Sequence, residues 1–155
     1  NLFAGRCDVY TTDASGLSAT RAQADNPDKW VVLPNIISKE PLGPLVRHGD
    51  HQWGDVVRWS LNTMIIAEEL GVSSSNVDDN MNSNIPEVLR LLGVEGDYGT
   101  MLELGNDFAY NIIKQVGNYS ESFDRNIGPD TPLGIGRNLN ALWTDGGLQY
   151  GPPIR

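Results

Sequence analysis

Apolar and polar positions follow two different periods along this chain. Over residues 6–12, Cys7, Val9 and Thr11 fall on one face and Tyr10 and Thr12 on the other. The run is rich in β-branched and aromatic residues, so it predicts a short strand ending at Asp13. The segment "ASGLSATRAQA" (14–24) then carries good helix formers, with Asp13 or Ser15 as cap and the "DNPD" turn at 25–28 beyond it. A second apolar run, "WVVLP" (30–34), reads as a strand. Pro41, Gly43 and Pro44 exclude a helix interior from 36–47, which predicts an extended connector.

From residue 50 the period changes to that of a helix. Trp53, Val56, Val57, Leu61, Met64 and Ile65 recur at i, i+3 and i+4 spacings, which predicts a helix over 51–70 with Asp50 as N-cap and Gly71 as its stop. The polar run 73–84 predicts a loop in which Val77 and Met81 mark one helical turn. "IPEVLRLLG" predicts a short helix with Pro86 in its first turn and Gly93 closing it. A further helix is expected within 106–118, apolar at Phe108, Ile112, Ile113 and Val116 and stopped by Gly117. "SESFDRNIG" and "NLNALW" add a turn or two each. The Gly- and Pro-rich "DGGLQYGPPIR" is expected to lie extended on the surface. No internal repeat is visible.

Composition narrows the function classes. With 155 residues, 39% of them hydrophobic, the chain suits one domain or part of one. Eleven basic against 20 acidic residues give a net charge of −9, which repels phosphate backbones and anionic lipid, so a nucleic-acid partner is not expected. No run approaches the roughly 20 apolar residues that span a bilayer. The N-terminus lacks the basic-then-apolar layout of a secretory signal, so a mature, truncated or cytosolic soluble chain is expected.

The candidate chemistry is sparse. His48 and His51 stand i, i+3, but no Cys, Asp or Glu set completes a first shell, so no metal is expected. "DDNMNSN" (78–84) is rich in oxygen donors but lacks the glycine and the twelfth-position acid of a calcium loop. "GPDTPLGIGR" has no flanking strand and helix in nucleotide-binding register. Cys7, expected buried in its strand, has no activating base, and nothing else demands catalysis. Asp13 is different. A carboxylate at the carboxyl end of a strand in an α/β sheet sits where such folds place their ligand crevice, and it suits an ammonium group. It is equally a helix N-cap on spacing.

The stretches "GRCDVYTTDASGL", "VVLPNIISKEPLGPLVRHGDHQW" and "VGNYSESFDRNIG…NLNALWTDGGLQYGPPIR" together resemble the C-terminal half of the general L-amino-acid periplasmic binding proteins of ABC transporters. These belong to the polar amino-acid, type II solute-binding family. The resemblance implies an α/β fold, part of a bilobal protein with ligand between the lobes, plus a helix-rich C-terminal extension. Residues 1–38 would be the C-terminal part of lobe 2, 39–47 the second hinge crossing, and 48–155 the C-terminal helices of lobe 1 with the extension. Asp13 would bind the ligand's α-ammonium group, with Thr12 and Glu40 close by. The family's N-terminal lobe, with its arginine and hydroxyl ligands for the substrate carboxylate, would lie upstream.

By the same resemblance, Cys7 would face a second Cys on an upstream strand, a partner missing here. The implied function is that of a periplasmic substrate-binding component of an L-amino-acid importer, not an enzyme, with no cofactor. Its partners would be an L-amino acid, the transporter permease, and either the missing N-terminal half or a second, swapped copy of the chain. Two alternatives come from other classes: a dehydratase of the same bilobal fold, of the cyclohexadienyl type, and a stand-alone binding or assembly module that has lost transport.

Overall fold

The computed structural model describes residues 2–39 and 41–155. Among the described residues seven helices occur in order: α1 Ala14–Ala22, α2 His51–Glu69, α3 Val77–Asn80, α4 Pro86–Leu91, α5 Tyr98–Met101, α6 Phe108–Val116 and α7 Tyr119–Asn126. Short 3-10 turns at Pro27–Lys29, Asn138–Asn140 and Trp143–Asp145 complete the regular structure. The chain divides into two compact units: residues up to Gly43 with Asp124–Gly136, and Pro44–Phe123 with Arg137–Arg155.

The second unit holds the core. Ile66, Ala67, Val72, Val77, Val88, Leu91, Leu92, Ala109 and Ile113 form one buried cluster, as α2 packs on α4 and α6 and α3 packs on α6. The expected α2 is present, with the Asp50 carboxylate accepting from the Trp53 N–H at 3.2 Å. Of the positions the periodicity marks, Ile65 is buried, while Val56, Val57, Leu61 and Met64 are only partly covered. The buried residues are Thr63, Ile65, Ile66 and Ala67 near its C-terminus, while Trp53 in the first turn is 54% exposed. The helix ends as expected at Gly71, whose φ of +69° lets the Gly71 N–H reach Glu68 O at 3.1 Å and the Val72 N–H reach Ala67 O at 2.8 Å. α4 stops in the same way: the Gly93 N–H donates to Arg90 O and the Val94 N–H to Leu89 O.

Asn118 and Glu121 open α7 reciprocally. The Glu121 N–H donates to Asn118 Oδ1 at 3.0 Å and the Asn118 N–H to Glu121 Oε2 at 2.8 Å. The same two side chains reach the turn after α2, since Asn118 Nδ2 donates to Val72 O at 2.9 Å and the Ser74 hydroxyl and N–H both donate to Glu121.

The C-terminal segment 145–155 is mostly exposed, as expected, but the chain from Arg137 onward is tied to α2 and the core at several points. Arg137 donates to both carboxylate oxygens of Glu68 at 2.9 and 3.0 Å and lies over the Tyr119 and Phe123 rings. Leu142 and Gln149 form an isolated parallel bridge. Gly151 is buried so closely against α2 that a Cβ there would stand 2.5 Å from Ile66 Cγ1, and Ile154 packs on the core while its carbonyl accepts from Arg90. At Gly151 the missing Cβ lets the backbone approach the helix.

The first unit differs most from expectation. Neither 6–12 nor 30–34 forms a strand, and among the described residues the Leu142–Gln149 bridge is the one β pairing. A strand exists only as part of a ladder, and the described residues supply these runs with no partner. The α/β expectation therefore holds only for its helical part. None of the described residues from 2 to 43 is buried, and Cys7, expected inside a strand, is exposed. The connector expected over 36–47 carries no helix or strand among its described residues.

Candidate functional site

Asp13 precedes α1 with extended backbone, φ −60° and ψ 158°. Its Oδ1 accepts from the Ser15 hydroxyl at 2.5 Å and from the Gly16 N–H at 2.7 Å, while Thr12 Oγ1 reaches Oδ2 at 3.4 Å. These bonds hold the carboxyl below the usual carboxylate range: the Ser15 hydroxyl contributes most, then the Gly16 N–H, with slight desolvation opposing them. Stability from this ionised cap is present above the unfolded carboxylate value and is lost as pH falls through the folded one. The arrangement caps α1 and keeps a negative charge fixed at neutral pH.

Of the predicted site residues, the structure brings Thr12 and Asp13 together. Glu40 lies outside the described residues. Cys7 is a free, exposed thiol. His48 and His51 border a shallow depression with Arg47, Asp50, Asp55 and Arg58, and Arg58 pairs with Asp55 at 3.3 Å. Among the described residues no group of three His, Cys, Asp or Glu stands close enough to hold a metal ion. None of the described helices is long and apolar enough to cross a membrane.

One polar cluster escapes the sequence reading. Asp78 on α3 accepts from Tyr110 OH at 2.8 Å and from Lys114 Nζ at 2.6 Å, both on α6. Lys114 first and Tyr110 second hold the Asp78 carboxyl below its usual range, and Asp78 in turn raises both partners. The i, i+4 spacing of Tyr110 and Lys114 is the one signal of it in the sequence. It ties two elements at an exposed surface and encloses no cavity.

Comparison with solved structures defines the class. The fold matches an ABC transporter periplasmic binding protein from Brucella ovis with glutathione bound, at a TM-score of 0.94 and 54% identity, over 99% of this chain and 48% of that one. Curated relatives narrow it. The chain is 56% identical over 155 residues to the putative amino-acid ABC transporter-binding protein YhdW of Escherichia coli, covering 99% of this chain and 46% of that protein. It is 58% identical to the general L-amino acid-binding periplasmic protein AapJ of Rhizobium johnstonii, covering 98% and 45%. The glutamate/glutamine/aspartate/asparagine-binding protein BztA of Rhodobacter capsulatus is 54% identical, covering 98% and 45%. No family model matches the chain. The chain is thus a homologue of the periplasmic binding proteins of amino-acid ABC transporters and spans about half the length of the curated relatives it matches.

Proposed function

We propose that this chain is part of the substrate-binding component of an L-amino-acid ABC importer, working in the periplasm by binding rather than catalysis and delivering its ligand to a membrane permease. Identity of 54–58% to amino-acid-binding proteins over nearly the whole chain carries this reading. Asp13 is the proposed anchor for the ligand's α-ammonium group, with Thr12 and Glu40 beside the ligand. A fixed, ionised carboxylate suits that task, because a charge-assisted bond to an ammonium group strengthens when a closing cleft excludes water. The ligands named for the relatives share one chemistry. Glutathione, bound by the Brucella relative, keeps a free α-amino and α-carboxylate head on its γ-glutamyl end, as free amino acids do. The proposed ligand class is therefore compounds with an L-α-amino-acid head.

In this reading residues 1–38 belong to one lobe, 39–47 to a crossing between lobes, and 48–155 to the other lobe and its extension. The division of the chain between Gly43 and Pro44 supports a crossing there, while the grouping of Asp124–Gly136 with the first unit departs from a simple two-part scheme. The remainder of the binding protein would cover the apolar side chains exposed between residues 31 and 45 and would supply the groups for the ligand carboxylate. Thermal melting of the full-length protein against a panel of L-amino acids and glutathione tests the function: ligands with a free α-amino head raise the melting temperature, and N-acetylated forms do not. A panel in which no such compound shifts the melt would refute the reading.

A further inference from the structure

Resting on the reading of Asp13 as the ammonium anchor, we infer that Ser15 and Gly16 are positioning residues for its carboxylate, holding Oδ1 and keeping Oδ2 open for the ligand. The two oxygens are unequally used. Oδ1 takes both the Ser15 hydroxyl at 2.5 Å and the Gly16 N–H at 2.7 Å, which fills the two acceptor positions of a carboxylate oxygen. Among the described residues Oδ2 takes the Thr12 hydroxyl alone, at 3.4 Å, well beyond the roughly 2.7–2.8 Å usual for O–H···O. A charged oxygen with spare acceptor capacity is thereby presented in one fixed orientation.

Gly16 supplies a separate, steric observation. A Cβ there would stand 3.1 Å from Asp13 Oδ2, 3.4 Å from Oδ1 and 3.0 Å from Thr12 Cγ2, so any side chain would press on the open oxygen and on its neighbour. Gly16 lies within α1 and not in the left-handed region, so its backbone does not require glycine. Helix stability alone would favour alanine. Access to the Asp13 carboxylate is what the missing side chain provides. Among the described residues the groups acting on Asp13's ionisation are the hydroxyls of Ser15 and Thr12, the backbone N–H groups of the cap and desolvation, with no charged side chain.

The test uses the full-length protein and L-glutamine, whose side chain does not titrate, in calorimetry from pH 3 to 7. Carboxyl NMR of Asp13 without ligand accompanies it. Ser15→Ala should weaken binding about two- to tenfold at pH 7, the cost of immobilising on the ligand a carboxylate no longer held in place. It should also raise the Asp13 midpoint, so the acid fall-off of binding moves to higher pH, because the carboxylate must be ionised to hold an ammonium group. Ser15→Thr should restore both. Gly16→Ala should weaken binding about tenfold while the ligand-free melting temperature stays the same or rises. If the wild type binds and Asp13→Ala does not, yet Ser15→Ala and Gly16→Ala bind with unchanged affinity and pH profile, the positioning inference is wrong and the functional reading stands. A wild type that binds neither L-glutamine nor any other L-amino acid overturns both.

Discussion

Asn118 serves two elements with one side chain: its Oδ1 caps the first turn of α7, and its Nδ2 satisfies the carbonyl of Val72 after α2. The residue is 7% exposed, so water cannot replace either partner without disturbing the packing. Asn118→Ala should cost about 1.5–5 kcal/mol of unfolding free energy in urea, the sum expected for a lost cap and an unsatisfied buried carbonyl. Asn118→Ser, which keeps an acceptor for the cap but not the donor to Val72, should recover part of that loss. Equal stability of the alanine variant and the wild type would show that the bonds to Asn118 contribute nothing net. Asp13 is the counterpart at the other end of the chain, a cap whose carboxylate keeps one oxygen in reserve. The sequence offered Asp13 as cap or ligand group without deciding between them; the cap uses Oδ1, and the proposed ligand role would use Oδ2.

Two helices, α2 and α4, end in the same motif, yet their glycines stand in different surroundings. Gly71 and Gly93 have φ of +69° and +73°, but a Cβ on Gly71 would meet nothing within 4 Å, whereas one on Gly93 would lie 1.9 Å from Asn106 O. Gly71→Ala should therefore cost about 1 kcal/mol, the strain of a left-handed alanine, and Gly93→Ala clearly more, because backbone must also move. Denaturation midpoints for the two variants compare them directly, and similar losses would contradict the assigned clash. Helices α2, α4 and α6 were legible in the sequence because periodicity and terminal cap and glycine residues are local signals, whereas α5 at Tyr98–Met101 was not anticipated. The reciprocal cap at Asn118 and Glu121 is equally local. What the sequence could not show were contacts between distant segments: Gly151 against Ile66, Arg137 with Glu68, and Asp78 with α6. The strands expected at 6–12 and 30–34 failed for the same reason, since alternation marks a segment fit for a sheet but supplies no neighbour to pair with.

At the scale of the whole molecule, the two units differ in what they bury. The second has a continuous core, while in the first the side chains of Val31, Leu33, Ile36, Ile37 and Leu42 are 64–79% exposed, and Leu45, just past the division, is 98% exposed. Apolar surface of this kind gains roughly 25 cal/mol per Å² when covered, so the chain on its own should associate. Light scattering should give a mass above the 17.0 kDa of one copy, and amino-acid binding should be weak or absent until the remainder of the protein is supplied. A monodisperse monomer whose melt is raised by an L-amino acid would contradict this. Legibility at this scale was uneven: long sequence stretches pointed to the family, while the division into units, with 124–136 grouped beside the N-terminal residues, had no local signature.

The central claim is that the protein recognises the ammonium group of an amino acid through Asp13. Calorimetry on the full-length protein at pH 7 with L-glutamine and its des-amino analogue, 4-carbamoylbutanoate, tests it most directly. The two ligands differ at the α-carbon by the ammonium group alone. L-Glutamine should bind one per protein, the analogue at least about 30-fold more weakly, the cost of leaving one partner of a desolvated charge pair unmet. Asp13→Ala should remove most of that discrimination. Equal affinity for the two ligands in the wild type, or an undiminished preference in Asp13→Ala, would contradict the account.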